Sequence, residues 1–201
     1  MSNLINYIND DELHDVDYLV KLAIIHYQFE SIHPFYDGNG RVGRILNILY
    51  LVLKGLQDYP ILYLSRYIIR HKSEYYRLLQ TVRTQNDWES WILYILNGVE
   101  EVSRQSIKLI QSIRRLMQEY KFHIRDTYPS FYSHELLNNL FKHPYTKIEL
   151  LEEDLGCERR TAAKYLNALA EDNKQILQKF KIGRVNYYIN TRLFNLFLSV
   201  D

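Results

Sequence analysis

Two apolar stripes at helical spacing, separated by a short loop of proline, glycine and polar residues, limit what this chain can fold into more than any other feature. Leu19, Leu22, Ile25, Phe29 and Ile32 form the first stripe, and Val42, Ile45, Leu46, Leu49, Val52, Leu53 and Leu56 the second. Recurrence at i, i+3, i+4 and i+7 is the mark of an amphipathic helix. The interruption reads His33-Pro34-Phe35-Tyr36-Asp37-Gly38-Asn39-Gly40. Pro34 disfavours the α conformation at His33, so the first helix is expected to end near Ile32. The second is expected to begin near Arg41 and to close at Gly55, with Asp58-Tyr59-Pro60 forming a turn.

Downstream, the periodicity predicts helices over 62–69, 72–83 and 87–97, with Gly98 a soft interruption before a long stretch to about 120. Asp126-Thr127-Tyr128-Pro129 breaks the pattern and sets an expected division into domains 1–125 and 126–201. After it come a helix over 146–155, a turn at Gly156-Cys157, a second helix over 159–172, and strand-like runs over 176–180 and 185–189. That is the element order of a winged helix. In it Ala162, Tyr165, Leu166 and Leu169 are expected core. The expected fold class is therefore mainly α: a helical core followed by a small winged helix-turn-helix domain.

The chain has 201 residues, 47% apolar and 24% charged, the composition of a folded globular protein. A formal net charge of +1 makes the whole molecule no electrostatic magnet for nucleic acid or anionic membrane. The single cysteine, Cys157, excludes an internal disulfide and a cysteine-based zinc site. The N-terminus shows no secretory signal, and no apolar run reaches the roughly 20 residues a membrane span needs. A cytoplasmic protein without a membrane partner is expected.

The loop between the stripes carries the chemistry. Gly38 and Gly40 permit backbone conformations in which successive N–H groups converge on an anion, and the following helix adds its positive end. Arg41 and Arg44 lie one helical turn apart, so both guanidiniums can fork onto phosphate oxygens. Asp37 is a hard oxygen ligand suited to Mg²⁺. His33 is the loop side chain that titrates near neutrality, placed to take a proton from a hydroxyl. Taken singly, each has a structural explanation: a capping histidine, a glycine turn, arginines on a helix end. A base, a metal ligand, an anion nest and two arginines within a dozen residues together describe phosphate transfer. Gly38-Asn39-Gly40-Arg41-Val42-Gly43 also spells G-x-G-x-x-G, but a helix rather than a strand precedes it, which removes the dinucleotide reading. Gly40-Arg41-Val42 is not the end of a Walker loop, and a zinc hydrolase on His33 and Asp37 lacks a third ligand.

The run His33-Pro34-Phe35-Tyr36-Asp37-Gly38-Asn39-Gly40-Arg41-Val42-Gly43-Arg44 matches HPFx(D/E)GNGRxxR, the motif of the Fic family, at every defined position. His26-Tyr27-Gln28-Phe29-Glu30-Ser31-Ile32 before it, and Leu64-Ser65, Tyr75-Tyr76 and Asp87-Trp88…Trp91 after it, resemble the same family over roughly residues 4–105. The resemblance implies a protein adenylyltransferase that uses ATP and Mg²⁺ to transfer AMP to a Ser, Thr or Tyr hydroxyl of a target protein or of itself. It implies His33 as general base, Phe35 pointing into the core as anchor of the loop, and Asp37 as the Mg²⁺ ligand. The backbone of Gly38, Asn39 and Gly40 would form the anion hole, with Asn39 also touching the α-phosphate. Arg41 and Arg44 would hold the β- and γ-phosphates, and Tyr75 and Tyr76 would flank the adenine. Gly40, where the phosphorylating branch of the superfamily has Lys, implies AMP transfer rather than kinase activity.

Against the family pattern, the helices that usually precede Leu4 and the β-hairpin flap are expected to be missing, as in a fragment or a short member. No glutamate has Ser or Thr four residues before it, so the inhibitory (S/T)xxxE(G/N) segment is also missing. Its absence predicts either an unrestrained enzyme or inhibition by a partner or an upstream inhibitory segment, and homodimerisation is open. In the winged helix, Arg159, Arg160, Lys164 and Arg184 are candidate DNA or partner contacts. Between Lys142 and Asn190, nine Lys/Arg stand against seven Asp/Glu, which inclines the reading towards protein contact. The alternative is a DNA-binding regulator whose Fic half binds nucleotide without efficient catalysis.

Overall fold

The computed structural model describes residues 1–12 and 15–199. The fold is mainly α, and the chain divides into two compact units, Met1–Ser106 and Ile107–Asp201.

The first unit contains α1 (Ser2–Asn9), α2 (Tyr18–Ile32), α3 (Asn39–Leu53), α4 (Ser65–Arg70), α5 (Lys72–Gln85) and the first turns of α6 (Trp88–Thr127). Asp17 caps α2 by accepting the Leu19 N–H at 2.8 Å, which satisfies one of the orphan donors of the first turn. Leu22, Ala23, Ile25 and Phe29 of α2 enter the core with Leu51, Leu78 and Ile95. Trp91 of α6 is fully buried there and donates its indole N–H to the Ala23 carbonyl at 2.8 Å, so its polar edge is satisfied inside the apolar contact. Truncating a side chain of this size in a packed core costs about 3–5 kcal/mol.

The most apolar stripe of α3 is not the face it buries. Asn39, Gly43, Asn47, Ile48, Tyr50 and Leu51 are buried, whereas Ile45, Leu49 and Leu53 are 51%, 55% and 61% exposed. Gly43 explains the choice. A Cβ there would fall 2.6 Å from Glu30 Oε1 and 3.2 Å from Phe29 Cδ1, so α3 approaches α2 along the face that lacks a side chain. Gly98 acts in the same way within α6, where a Cβ would meet Tyr67 Cδ1 at 2.6 Å. The helix runs unbroken through it, so this glycine is a packing notch and not the interruption its propensity suggests.

The second unit holds the rest of α6, α7 (His134–Lys142), β1 (Tyr145–Thr146), α8 (Ile148–Leu155), α9 (Arg159–Ala170), β2 (Gln178–Ile182), β3 (Val185–Ile189) and α10 (Thr191–Leu198). Its core joins Leu116, Tyr120 and Ile124 of α6 to Leu136, Leu140, Leu151, Ala162, Leu166, Leu169, Tyr188 and Leu193. Tyr165 is only half-buried, stacked on Phe131 at 4.4 Å. The division between units therefore falls inside α6, some twenty residues before the Asp126–Pro129 break. Leu116, Tyr120 and Ile124 recur every four residues, so the helix passes from one core to the other without a breaker. The sheet order is β1-β3-β2, all antiparallel, and Ile182 pairs with Val185 across a two-residue turn. Gly183 at φ +61° supplies the positive dihedral that the first position of such a turn requires. Helix α8, a turn, α9 and this ribbon follow the winged-helix order. Helices α1, α7 and α10 and strand β1 were not legible in the sequence: each is nine residues or fewer, and β1 exists only through its pairing with β3.

Candidate active site

The loop from His33 to Gly38 is held between α2 and α3. His33 is the C-cap of α2 at φ 50° and ψ 57°, a left-handed conformation. That geometry costs a non-glycine residue roughly 1–2 kcal/mol. Its Nδ1 lies 3.3 Å from the Glu30 carbonyl, an acceptor only, so in the neutral ring the proton sits on Nδ1 and the lone pair on Nε2. His33 is exposed, as a group that must meet a second molecule has to be.

Asn39 braces the loop. Its side chain is 2% exposed; Oδ1 accepts the Phe35 N–H at 2.8 Å and Nδ2 donates to the Phe35 carbonyl at 2.6 Å. Both ends of the amide are spent on the backbone, so what Asn39 offers an anion here is its own N–H. Phe35 is not the core anchor that the resemblance implies. It is 49% exposed with its ring 6.3 Å from Phe29, and the amide of Asn39, not the aromatic ring, fixes the loop at this residue.

Helix α3 starts two residues before Arg41. Gly38 is its N-cap at φ +81°, so the N–H groups of Asn39, Gly40 and Arg41 lie in the first turn, where they have no acceptor within the helix. The guanidinium of Arg41 folds back over Gly38, with Nη2 3.4 Å from where a Cβ would stand and 3.1 Å from Asp37 Oδ2. Arg44 lies over Gly40 in the same way, Nη1 at 3.1 Å from a notional Cβ. Two glycines thus make room for two arginines at the positive end of one helix, an arrangement that favours an anion. Asp37 also accepts the Gly38 N–H at 2.6 Å. Its pair with Arg41 is exposed at both partners and worth little in water, so either group is free to exchange it for a ligand. Among the described residues no cluster of three His, Cys, Asp or Glu is placed to hold a metal by itself. A single exposed carboxylate beside a phosphate site nevertheless fits Mg²⁺, which keeps waters and phosphate oxygens as its other ligands.

Beneath the loop lies a layer in which the sequence reading singled out Tyr75 but gave no role to His26 or Glu30. His26 is fully buried, stacked 6.0 Å from Trp91, with Nε2 3.0 Å from the Tyr75 hydroxyl. Burial, reinforced by the Arg44 charge, holds it down at about 4, so it is neutral at physiological pH. Tyr75 is 5% exposed and shares this cluster, so it offers no face to a base. Tyr76, edge-on to it at 5.4 Å, is exposed and keeps that possibility. Glu30 is half-buried against Gly43, and its Oε1 has no hydrogen-bond partner. The signal for both His26 and Glu30 was their place one and two turns before the loop on the same helix.

In the second unit Arg159 is bound within the module, to Glu149 at 2.8 Å and Glu152 at 3.5 Å. Arg160, Lys164 and Arg184 are exposed.

Residues 1–51 match the Fic/DOC family, and residues 116–193 match the family described as "Protein adenylyltransferase SoFic-like, C-terminal domain". The chain's first 51 residues thus match the Fic/DOC family, and its C-terminal part matches a domain found in adenylyltransferases of that kind. Protein adenylyltransferase fic-1 of Caenorhabditis elegans is 30% identical over 100 residues, 50% of this chain and 18% of that protein. Probable protein adenylyltransferase aq_aa38 of Aquifex aeolicus (strain VF5) is 42% identical over 65 residues, 32% of this chain and 20% of that one. The chain therefore spans about a fifth of the length of these Fic relatives. A crystal structure of a Fic family protein from Desulfovibrio desulfuricans G20 aligns at 21% identity with a TM-score of 0.48, over 94% of this chain and 53% of that one. No described helix is long and apolar enough to cross a membrane.

Proposed function

We propose that this chain transfers AMP from ATP to a hydroxyl side chain of a protein, itself or another. The observation that carries the proposal is the convergence at one helix N-terminus of an exposed base with its lone pair on Nε2, a braced anion loop and two arginines over glycines. His33 Nε2 takes the proton of the target hydroxyl as its oxygen attacks the α-phosphorus. The bond from that phosphorus to the bridging oxygen breaks, and pyrophosphate leaves. The N–H groups of the first turn of α3 stabilise the charge on the α-phosphate, and Arg41 and Arg44 neutralise the departing pyrophosphate. Asp37 would hold a Mg²⁺, which would supply positive charge to screen the phosphates. Gly40 supports AMP transfer over phosphorylation, since a Cβ there would lie 3.1 Å from Arg44 Nη1 and make the guanidinium give way by a few tenths of an ångström.

For the second unit we favour protein contact over DNA, because Arg159 at the front of α9 is neutralised by Glu149 and Glu152. Duplex binding that weakens steeply with salt would reverse that preference.

Incubation with α-labelled ATP and Mg²⁺, alone and with cell lysate, tests the transferase against His33→Ala. Label on protein that disappears in the variant supports it. Protein that binds ATP yet never carries label overturns it in favour of a nucleotide-binding regulator.

A further inference from the structure

Glu30 Oε1 and Arg44 Nε are two buried polar atoms with no hydrogen-bond partner, and both side chains border Gly40. A Cβ on Gly40 would stand 3.1 Å from Arg44 Nη1 and 3.8 Å from Glu30 Oε1. Gly43 makes the space for the carboxylate, since any side chain there would collide with Oε1 at 2.6 Å. Burial pushes the Glu30 carboxyl above its ordinary range, against the pull of the Arg44 and His33 charges. A half-buried carboxylate without an ion-pair or hydrogen-bond partner at Oε1 is a stability cost, and a cost kept at a helix crossing calls for a reason.

Resting on the transferase reading above, we propose that Glu30 is a positioning residue that orients the Arg44 guanidinium towards the β- and γ-phosphates of the nucleotide. The carboxylate charge acts on Arg44 through space, across Gly40 and without a hydrogen bond to Nε, and biases how the guanidinium lies there. An arginine is planar, so biasing one edge biases the direction of all its donors. The same carboxylate touches neither substrate nor metal and acts only through Arg44.

The consequence is selective. Loss of Glu30 weakens binding of a nucleotide that has β- and γ-phosphates and leaves AMP, which lacks them, unchanged. The test is calorimetric titration of the full chain with ATP and with AMP, in wild type, Glu30→Gln and Glu30→Ala, each with a thermal melt. The expected result is an ATP dissociation constant raised about tenfold in Glu30→Ala, as one of the two phosphate-facing arginines loses its direction. Glu30→Gln, which keeps an oxygen for Arg44, is expected to lose less. AMP binding stays constant in both, and Glu30→Gln melts no lower than wild type because it removes a penalised charge. Parallel losses of ATP and AMP with a lower melting point would make Glu30 merely structural and overturn the proposal. Unchanged or tighter ATP binding in Glu30→Ala would overturn it as well, the latter by showing a counter-charge that competes with phosphate. A wild-type chain that binds neither nucleotide would instead sink the transferase reading itself.

Discussion

The two units treat their buried polar groups in opposite ways. In the first, His26 Nδ1, Glu30 Oε1, Arg44 Nε, both ends of the Asn47 amide, the Tyr50 hydroxyl and the Ser65 hydroxyl have no hydrogen-bond partner. In the second, among the described residues, that is true only of the Tyr132 hydroxyl and Asn139 Oδ1. Much of the rest of that polar interior is joined by hydrogen bonds. Tyr120 donates to Asn190 Oδ1 at 3.1 Å, Asn190 donates to the Leu140 carbonyl at 3.2 Å, and Asp172 accepts from Tyr128 and pairs with His123, each at 2.9 Å. A satisfied network fixes one structure, whereas unpaired groups beside a cluster of charge carry a cost that stability alone does not explain. The difference marks the first unit as the one organised around something other than its own fold.

The comparison breaks first at His33. Its replacement by alanine should lower the rate of protein labelling about 10²–10⁴-fold, the usual worth of a positioned base, with ATP affinity held. Arg159→Ala should leave labelling of the same target unchanged. If both variants lose activity equally, the chemistry is not confined to the first unit.

A pair of asparagines sharpens it next. Asn190→Ala removes the acceptor of Tyr120 and of the Leu193 N–H and the donor to Leu140, and should destabilise the protein by about 2–4 kcal/mol in denaturant titrations. Asn39→Ala frees both polar groups of Phe35 in a loop open to water, so its stability loss should be nearer 1 kcal/mol. Its ATP affinity should fall while that of Asn190→Ala holds.

Acid should separate the units. His26 binds its proton more weakly in the folded state, at about 4 against 6.5, so its contribution is complete above pH 6.5 and is lost as pH falls towards 4. The full loss is on the order of 3 kcal/mol. Asp172 behaves otherwise. Burial raises its carboxyl, but hydrogen bonds from His123, the Lys174 N–H and Tyr128 together lower it below 3.8. Its contribution is present above 3.8 and is lost only as pH falls through that lower value. Trp88 and Trp91, the two tryptophans, both lie in the first unit, so their fluorescence should report unfolding at a higher pH than far-ultraviolet circular dichroism of the whole chain. Coincident transitions would mean the units unfold together.

The smallest effect expected is that of Arg159→Ala on stability. Its ion pairs are exposed and screened, so the denaturation midpoint should move little, and less still in high salt. A large shift would show that the charges of α8 and α9 hold the module together.

Periodicity and punctuation determined a good deal by themselves. Pro34 after Ile32 ends α2 at that residue, and Gly156 and Gly183 stand at positive φ where a turn was legible. The helix-turn-helix-ribbon order of the second unit and the dozen motif residues from His33 to Arg44 were equally open to reading, because local backbone chemistry and residue type decide them. What only tertiary structure decided is which surface each helix turns inward. The apolar stripe of α3 predicted the buried face at Ile45 and Leu49, but packing placed it at Gly43 and Asn47, since two backbones approach most closely where a Cβ is missing. For the same reason Gly98 became a notch for Tyr67 and Tyr75 joined the core instead of the surface. Asn39 became a brace, and Glu30 came to lie beside Arg44. Except for the local brace of Asn39 on Phe35, such pairings join residues on different helices, and spacing along one chain carries no information about them.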